Sequence, residues 1–269
     1  MRLAVSNIAL SPFDHQGELA LLPALGLAGL EVAPSRVWRD TWQGLKPADV
    51  AAYRRQVEAA GLMVVGLHSL FYDHPDLGLF KGTETDARTM DFLAHLSGVC
   101  RDLGGRTLIY GGGRKRGKIA LEDAFARAID FFARLCQRVE SDGTCFCFEP
   151  LGPNDSDFVN SVHDSIRIVE AVGHLALRVQ LDVKALVAND EMRPEAFEAA
   201  GPYLAHVHAN EPDLGVLGRS GAIDHAAIGR HLRAIGYGGY VSIEQKMIDG
   251  KAPLEAVEIS AHVLRRHYG

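Results

Sequence analysis

The sequence predicts one α/β domain, a (β/α)8 TIM barrel over residues 1–269. Three observations predict it. Eight short apolar runs recur along the chain, each followed by a loop with Gly or Pro and then, in most cases, a longer amphipathic stretch. Strand and helix patterns in alternation imply βαβ units and a parallel sheet, and eight units in about 250 residues match a barrel in count and length. An open doubly wound sheet is the competitor. It is disfavoured because the first run leads into Asn7-Ile8-Ala9-Leu10-Ser11-Pro12 and not into a G-x-G-x-x-G turn.

The elements follow in order. The strand candidates are residues 3–6, 29–32, 63–68, 107–110, 144–149, 179–182, 204–208 and 240–244. Each is a short run rich in Val, Ile, Leu or Phe. The helix candidates are residues 47–60, 85–103, 121–140, 162–172, 225–235 and 254–266. No linker, low-complexity tract or shift in composition marks a domain boundary.

Composition narrows the function. The chain has 28 Lys+Arg against 34 Asp+Glu, a formal net charge of −6. Such a protein has no electrostatic reason to coat nucleic acid or an anionic membrane. Its four cysteines form no C-x-x-C pair and no disulfide framework, which fits a reduced, cytoplasmic setting. The N-terminus lacks the apolar core of a signal peptide, and no run reaches the ~18 apolar residues of a membrane span.

The chemistry lies at the strand ends. The last four strands finish in Glu149, Asp182, His208 and Glu244. In a barrel those ends form one rim. Side chains alternate along a strand, so Phe146 and Phe148 share one face while Cys145, Cys147 and Glu149 share the other. Leu181 opposes Asp182, and Ile243 opposes Glu244, in the same way. Each acid therefore points into the barrel, where an unpaired carboxylate is costly. One divalent cation resolves that cost. Oxygen-rich ligation with one imidazole suits Mn²⁺ or Mg²⁺, with Co²⁺ and Zn²⁺ within reach of the same donors. Taken singly, each acid also fits a helix cap or a partner of Lys or Arg.

The stretches Phe148-Glu149-Pro150-Leu151-Gly152-Pro153-Asn154-Asp155, Leu181-Asp182-Val183-Lys184-Ala185, His206-Val207-His208-Ala209-Asn210-Glu211-Pro212 and Ser242-Ile243-Glu244 carry a resemblance. The sequence resembles the xylose isomerase-like TIM-barrel superfamily, in its sugar phosphate isomerase/epimerase group, which includes D-tagatose and D-psicose 3-epimerases. The resemblance covers essentially the whole chain. It implies that Glu149, Asp182, His208 and Glu244 bind one divalent metal and that Glu149 and Glu244 exchange protons with the substrate. It also implies a homodimer. Three positions depart from the epimerase pattern: Ala185 and Leu214 stand where a histidine and an arginine are expected, and Asp155 replaces a glutamate.

Further candidates surround this set. His68, Glu31, Asp155, Lys184 and Lys115 are candidates to bind substrate. His206, one layer deeper than His208, and Asn160 are candidates to support the ligands from behind, although Asn160 equally fits a cap of the following helix. The loop Gly111-Gly112-Gly113-Arg114-Lys115-Arg116-Gly117 reads either as an anion cradle or as a solvated basic loop. Trp38 and Trp42 read as cover for a sugar face or as packing against a partner subunit. Together these features point to a metal-dependent epimerase or isomerase of a sugar, sugar phosphate or related polyhydroxy carbonyl compound, working through a metal-bound cis-enediolate. The alternatives are dehydration of an inosose-like substrate and a sugar-binding barrel without catalysis. An apurinic endonuclease is disfavoured by the net charge and by the single clear metal set.

Overall fold

The computed structural model describes residues 1–250 and 252–269. Eight parallel strands close into a barrel in sequence order: β1 Arg2–Ser6, β2 Gly29–Val32, β3 Met63–Leu67, β4 Thr107–Tyr110, β5 Cys145–Phe148, β6 Leu177–Asp182, β7 Leu204–Ala209 and β8 Tyr240–Ile243. The ring is completed where Leu3 of β1 pairs with Val241 of β8. Outside it lie α1 Gln16–Leu19, α2 Pro47–Ala59, α3 Thr83–Asp102, α4 Leu121–Val139, α5 Val162–Val172, α6 Val183–Ala188, α7 Pro194–Ala200, α8 His225–Ala234 and α9 Pro253–Tyr268.

Aromatic packing fixes which face of β5 looks inward. On α4, Phe125, Ala128, Phe132, Leu135 and Val139 recur at helical spacing and are buried. The Phe132 ring meets Tyr110 of β4 at 4.9 Å and Phe148 of β5 at 5.2 Å, both edge to face. Burying each such ring contributes roughly 1.5–3 kcal/mol. With Phe148 anchored outward on α4, the residue after it turns toward the barrel axis. Local chemistry sets the helix ends in the same region. Ser161 and Asp164 form a capping box at the start of α5, and Gly173, at φ 63°, ends it in the left-handed region.

The structure differs from the sequence reading in two ways. Glu149, His68 and Glu244 sit one residue beyond their strands, although each still donates its backbone N–H to the neighbouring strand, to Tyr110, Val32 and Ala209 respectively. Helices also occur between β1 and β2 and between β6 and β7, where the sequence shows no long periodic stretch. These are the short α1, α6 and α7. α1 is only four residues and is soon followed by Pro23, while α6 stops before Asp190, held at φ 55°. Elements of four to seven residues are too short for a helical period to register.

Candidate metal centre and active site

Four side chains converge at the C-terminal rim. Nδ1 of His208 lies 3.7 Å from Glu149 Oε1, 3.7 Å from Asp182 Oδ2 and 3.5 Å from Glu244 Oε2. The other ring nitrogen, Nε2, contacts both oxygens of Glu31 at 3.1 and 3.0 Å. A carboxylate only accepts hydrogen bonds, so Nε2 carries the proton that is shared with Glu31. Nδ1 is buried and makes no hydrogen bond. Its separations from the three carboxylates exceed hydrogen-bond length. They match donor atoms around one ion: two ligands each about 2.0–2.6 Å from a cation, set at right angles, stand about 3–3.7 Å apart. An imidazole nitrogen facing three carboxylates thus fits a hard or borderline divalent cation. The glutamate, aspartate and imidazole donor atoms of Glu149, Asp182 and His208 lie within 4.8 Å of one another.

The electrostatics are those of crowded charge. Burial pushes the Glu149 carboxyl well up, and the neighbouring charges of Asp182 and Glu244 reinforce this. Burial works against ionisation of Glu244 too, but His208 and His68 outweigh it and hold that carboxyl well below the usual range. Burial alone would lower His208. Glu31 and Glu244 outweigh it and hold the imidazole well above its ordinary value.

Asp182 performs two tasks. Its Oδ1 accepts from the Ala185 N–H at 2.8 Å and caps α6, while Oδ2 faces His208. Asn210, two residues beyond His208, ties the acids together. Its Nδ2 donates to Asp182 Oδ2 at 2.6 Å and to Glu244 Oε2 at 2.8 Å. Its Oδ1 accepts from the Lys184 N–H at 2.8 Å, which fixes the orientation of the amide. Sequence reasoning missed Asn210, although it continues the inward alternation of His206 and His208.

Glu149 is held from two sides. Its main-chain carbonyl accepts from Nη2 of Arg114, whose guanidinium also donates to the carbonyls of Tyr110 at 3.3 Å, Phe158 at 3.1 Å and Val159 at 3.3 Å. Arg114 is 1% exposed and lies 5.0 Å from the Phe148 ring centroid, so it belongs neither to a solvated loop nor to an open anion cradle. Burial pushes its pKa down to about 10, still charged at neutral pH. Gly111 backs the carboxylate: a Cβ there would stand 2.0 Å from Glu149 Oε2. Its φ is not in the left-handed region, so alanine fits the backbone and the strain falls on Glu149. Gly111→Ala is therefore expected to weaken Co²⁺ binding by about 10–100-fold in a calorimetric titration, the range for disturbed ligand support, with an unchanged circular dichroism spectrum.

A cavity of about 510 Å³ opens from the cluster and runs under the loops after β3, β4 and β5. His68, Glu149, His208 and Glu244 line its inner end, and Tyr72, Lys81, Lys115 and Asp155 stand farther along it. His68 Nδ1 is 3.6 Å from Glu244 Oε1, and its Nε2 is 2.5 Å from Ser6 Oγ. Lys184 is not turned away as strict strand alternation requires, because β6 ends at Asp182. Its Nζ reaches Asp155 Oδ2 at 3.0 Å.

Several candidates lie elsewhere. Glu31 does not line the cavity. It is fully buried beneath His208, with His206 Nε2 3.1 Å from its Oε1, so the reading of Glu31 as a substrate ligand is corrected. Asn160 does not reach the cluster; its Nδ2 donates to Leu151 O and Ser156 O and organises the loop after β5. Trp38 packs edge-on against Tyr53, and Trp42 lies against His74 and Phe92, so both indoles pack on the protein.

Comparison with known proteins agrees with this architecture. The profile of the xylose isomerase-like TIM barrel family matches residues 19–267. A D-psicose 3-epimerase from Ruminiclostridium cellulolyticum is 30% identical over 118 residues, covering 44% of this chain and 40% of the relative. The chain thus spans about 40% of the length of the curated relatives it matches. An L-ribulose 3-epimerase structure superposes with a TM-score of 0.83 at 21% identity, over 99% of this chain and 94% of that one. The 3-keto-D-glucoside 4-epimerase of E. coli gives 0.80 at 19% identity, over 99% of each chain. At those identities the structural likeness shows the fold. The match of nearly the whole sequence to the family profile shows more: the chain belongs to the xylose isomerase-like TIM barrel family.

Proposed function

We propose that this chain is a divalent-cation-dependent epimerase or isomerase of a sugar, sugar phosphate or related polyhydroxy carbonyl compound. The observation that carries the reading is the pair Glu149 and Glu244. Both line the cavity, they sit three strands apart, and both face the same nitrogen of His208. The matching relatives are named as D-psicose 3-epimerases, which supports the same class of chemistry.

Glu149, Asp182, His208 and Glu244 would hold the cation. When bound, it supplies the positive charge that acidifies a C–H bond next to a carbonyl. One glutamate then takes the proton from carbon, and the other returns a proton to the opposite face, which inverts the centre. Return to the adjacent carbon gives aldose–ketose isomerisation instead. Asn210 keeps Asp182 and Glu244 in register during these transfers. Lys184, paired with Asp155, stands near the acids and supplies a cationic group to substrate oxygens. The apolar wall of Leu70, Phe71, Ile109 and Leu151 limits water around the reacting carbon.

Mn²⁺ or Mg²⁺ is the working ion we propose and the cytoplasm the setting, supported by the oxygen-rich donors and by four free thiols. Among the described residues, no helix is long and apolar enough to cross a membrane. The homodimer that the resemblance implies belongs to the same proposal and is measured by light scattering.

The test incubates EDTA-treated protein, and protein reloaded with Mn²⁺, Mg²⁺ or Co²⁺, with ketoses, inososes and their phosphates in D₂O. Deuterium is expected to enter one C–H position, without loss of water from the substrate, only in the reloaded samples. Loss of water would show dehydration. Absence of exchange with every substrate would sink the proton-transfer reading.

A further inference from the structure

We infer that Glu31 is the positioning residue of this centre: its buried carboxylate accepts the Nε2–H of His208 and turns the Nδ1 lone pair toward Glu149, Asp182 and Glu244. The inference rests on the reading of that cluster as a cation site.

A cation binds the neutral imidazole and displaces any proton from the nitrogen it takes, and the hydrogen bond made by the other nitrogen decides which one ligates. Glu31 contacts Nε2 through both of its oxygens, at 3.1 and 3.0 Å, so the ring is held from a two-point base. Glu31 is 0% exposed, and burying an ionised carboxylate costs several kcal/mol unless partners satisfy it. Those partners are His208 and His206, which share one face of β7; the ring of His206 stands at 90° to that of His208. The backbone of β2 is shaped for the task. The register between β2 and β3 slips between Leu30 and Glu31, a local irregularity of the kind that re-aims a side chain.

Other buried polar side chains lie beside the His208 and His206 pair. Gln180, paired in register with His206, and Ser242, paired with His208, are also fully buried and have side-chain atoms without hydrogen-bond partners. The rings of His68 and His206 pack edge-on against that of His208, at 5.6 and 5.1 Å between centroids. Glu31 is the carboxylate that hydrogen-bonds Nε2, and it is not among the residues lining the cavity, which separates this role from contact with substrate.

The experiment compares wild type, Glu31→Gln and Glu31→Leu with Co²⁺ and Zn²⁺ as probes. Titration calorimetry gives Co²⁺ affinity, visible absorption reports the Co²⁺ coordination sphere, and proton–nitrogen NMR of the Zn²⁺ form reports the imidazole N–H. Glu31→Leu is expected to lose about 10–100-fold in Co²⁺ affinity, to alter the absorption spectrum and to lose the slowly exchanging N–H of His208. Glu31→Gln should fall between, because its amide oxygen still accepts one N–H. A merely structural role would lower thermal stability without moving the spectrum or the N–H signal, and that outcome overturns the inference. So does wild-type Co²⁺ affinity in both variants. If Glu31→Leu does not fold, the nearly isosteric Glu31→Gln decides. A wild-type protein that binds neither ion overturns the cation reading itself.

Discussion

Glutamine at position 149 or 244 is expected to cut turnover by ~10²–10⁴-fold while affecting substrate affinity far less. The amide keeps a carbonyl oxygen and nearly the same shape, so coordination of a cation survives in part. It cannot accept a proton from carbon at neutral pH. The two variants are expected to differ in one respect. If each glutamate serves one face of the carbon, the variant that keeps the base for a given epimer still washes deuterium into that epimer. It does so without forming the other. Steady-state kinetics and NMR of the recovered sugar measure both effects. Normal turnover in both variants, with metal bound, would remove these glutamates from the mechanism.

Arg114→Met is expected to give the largest loss of stability. The guanidinium satisfies four main-chain carbonyls, on Tyr110, Glu149, Phe158 and Val159, where the ends of β4 and β5 meet the following loop. Methionine fills much of the volume but donates nothing. Each buried carbonyl left unpaired costs about 1–3 kcal/mol, and the losses are not additive. A total of about 3–5 kcal/mol corresponds to a fall in Tm on the order of 10 °C for a chain of this size. Arg114→Lys should lose less, since one ammonium can serve some of the carbonyls without matching the planar fork. Because the Glu149 carbonyl is among the four, cation affinity should fall together with Tm. A thermal melt within 2 °C of wild type, on this approximate scale, would show that the staple is dispensable.

Much of the barrel was legible because its signal is local. Alternation along β5, β6 and β8 told which side of each strand Glu149, Asp182 and Glu244 occupy, and that information needs only neighbouring residues. Partners across the ring were not legible. Glu31 meets His208 across 177 positions of sequence, and nothing near either residue announces the other. The loop after β4 misled for a related reason. Gly111, Arg114 and Lys115 read alike as a basic glycine loop, and all three line the cavity, yet Gly111 backs a carboxylate and Arg114 is buried on carbonyls. Their difference depends on the loop after β5, which lies about 40 residues later in the chain. Asn210 was readable by alternation, since residues 206, 208 and 210 share a face, but a polar amide by itself carries no catalytic signature.

The contact between Glu31 and His208 also orders events in time. The second strand and the seventh contribute to one centre, so no segment made of neighbouring units contains it. Half-barrels, nascent chains that end before β7, and collapsed intermediates with formed helices all lack the imidazole or its support. Loop-closure entropy makes such distant pairings late. An ion that binds only the finished arrangement draws the equilibrium toward the sealed ring by mass action. The moment at which a refolding chain begins to take up Co²⁺ therefore dates the closing of the ring, whereas far-ultraviolet signals date only its helices.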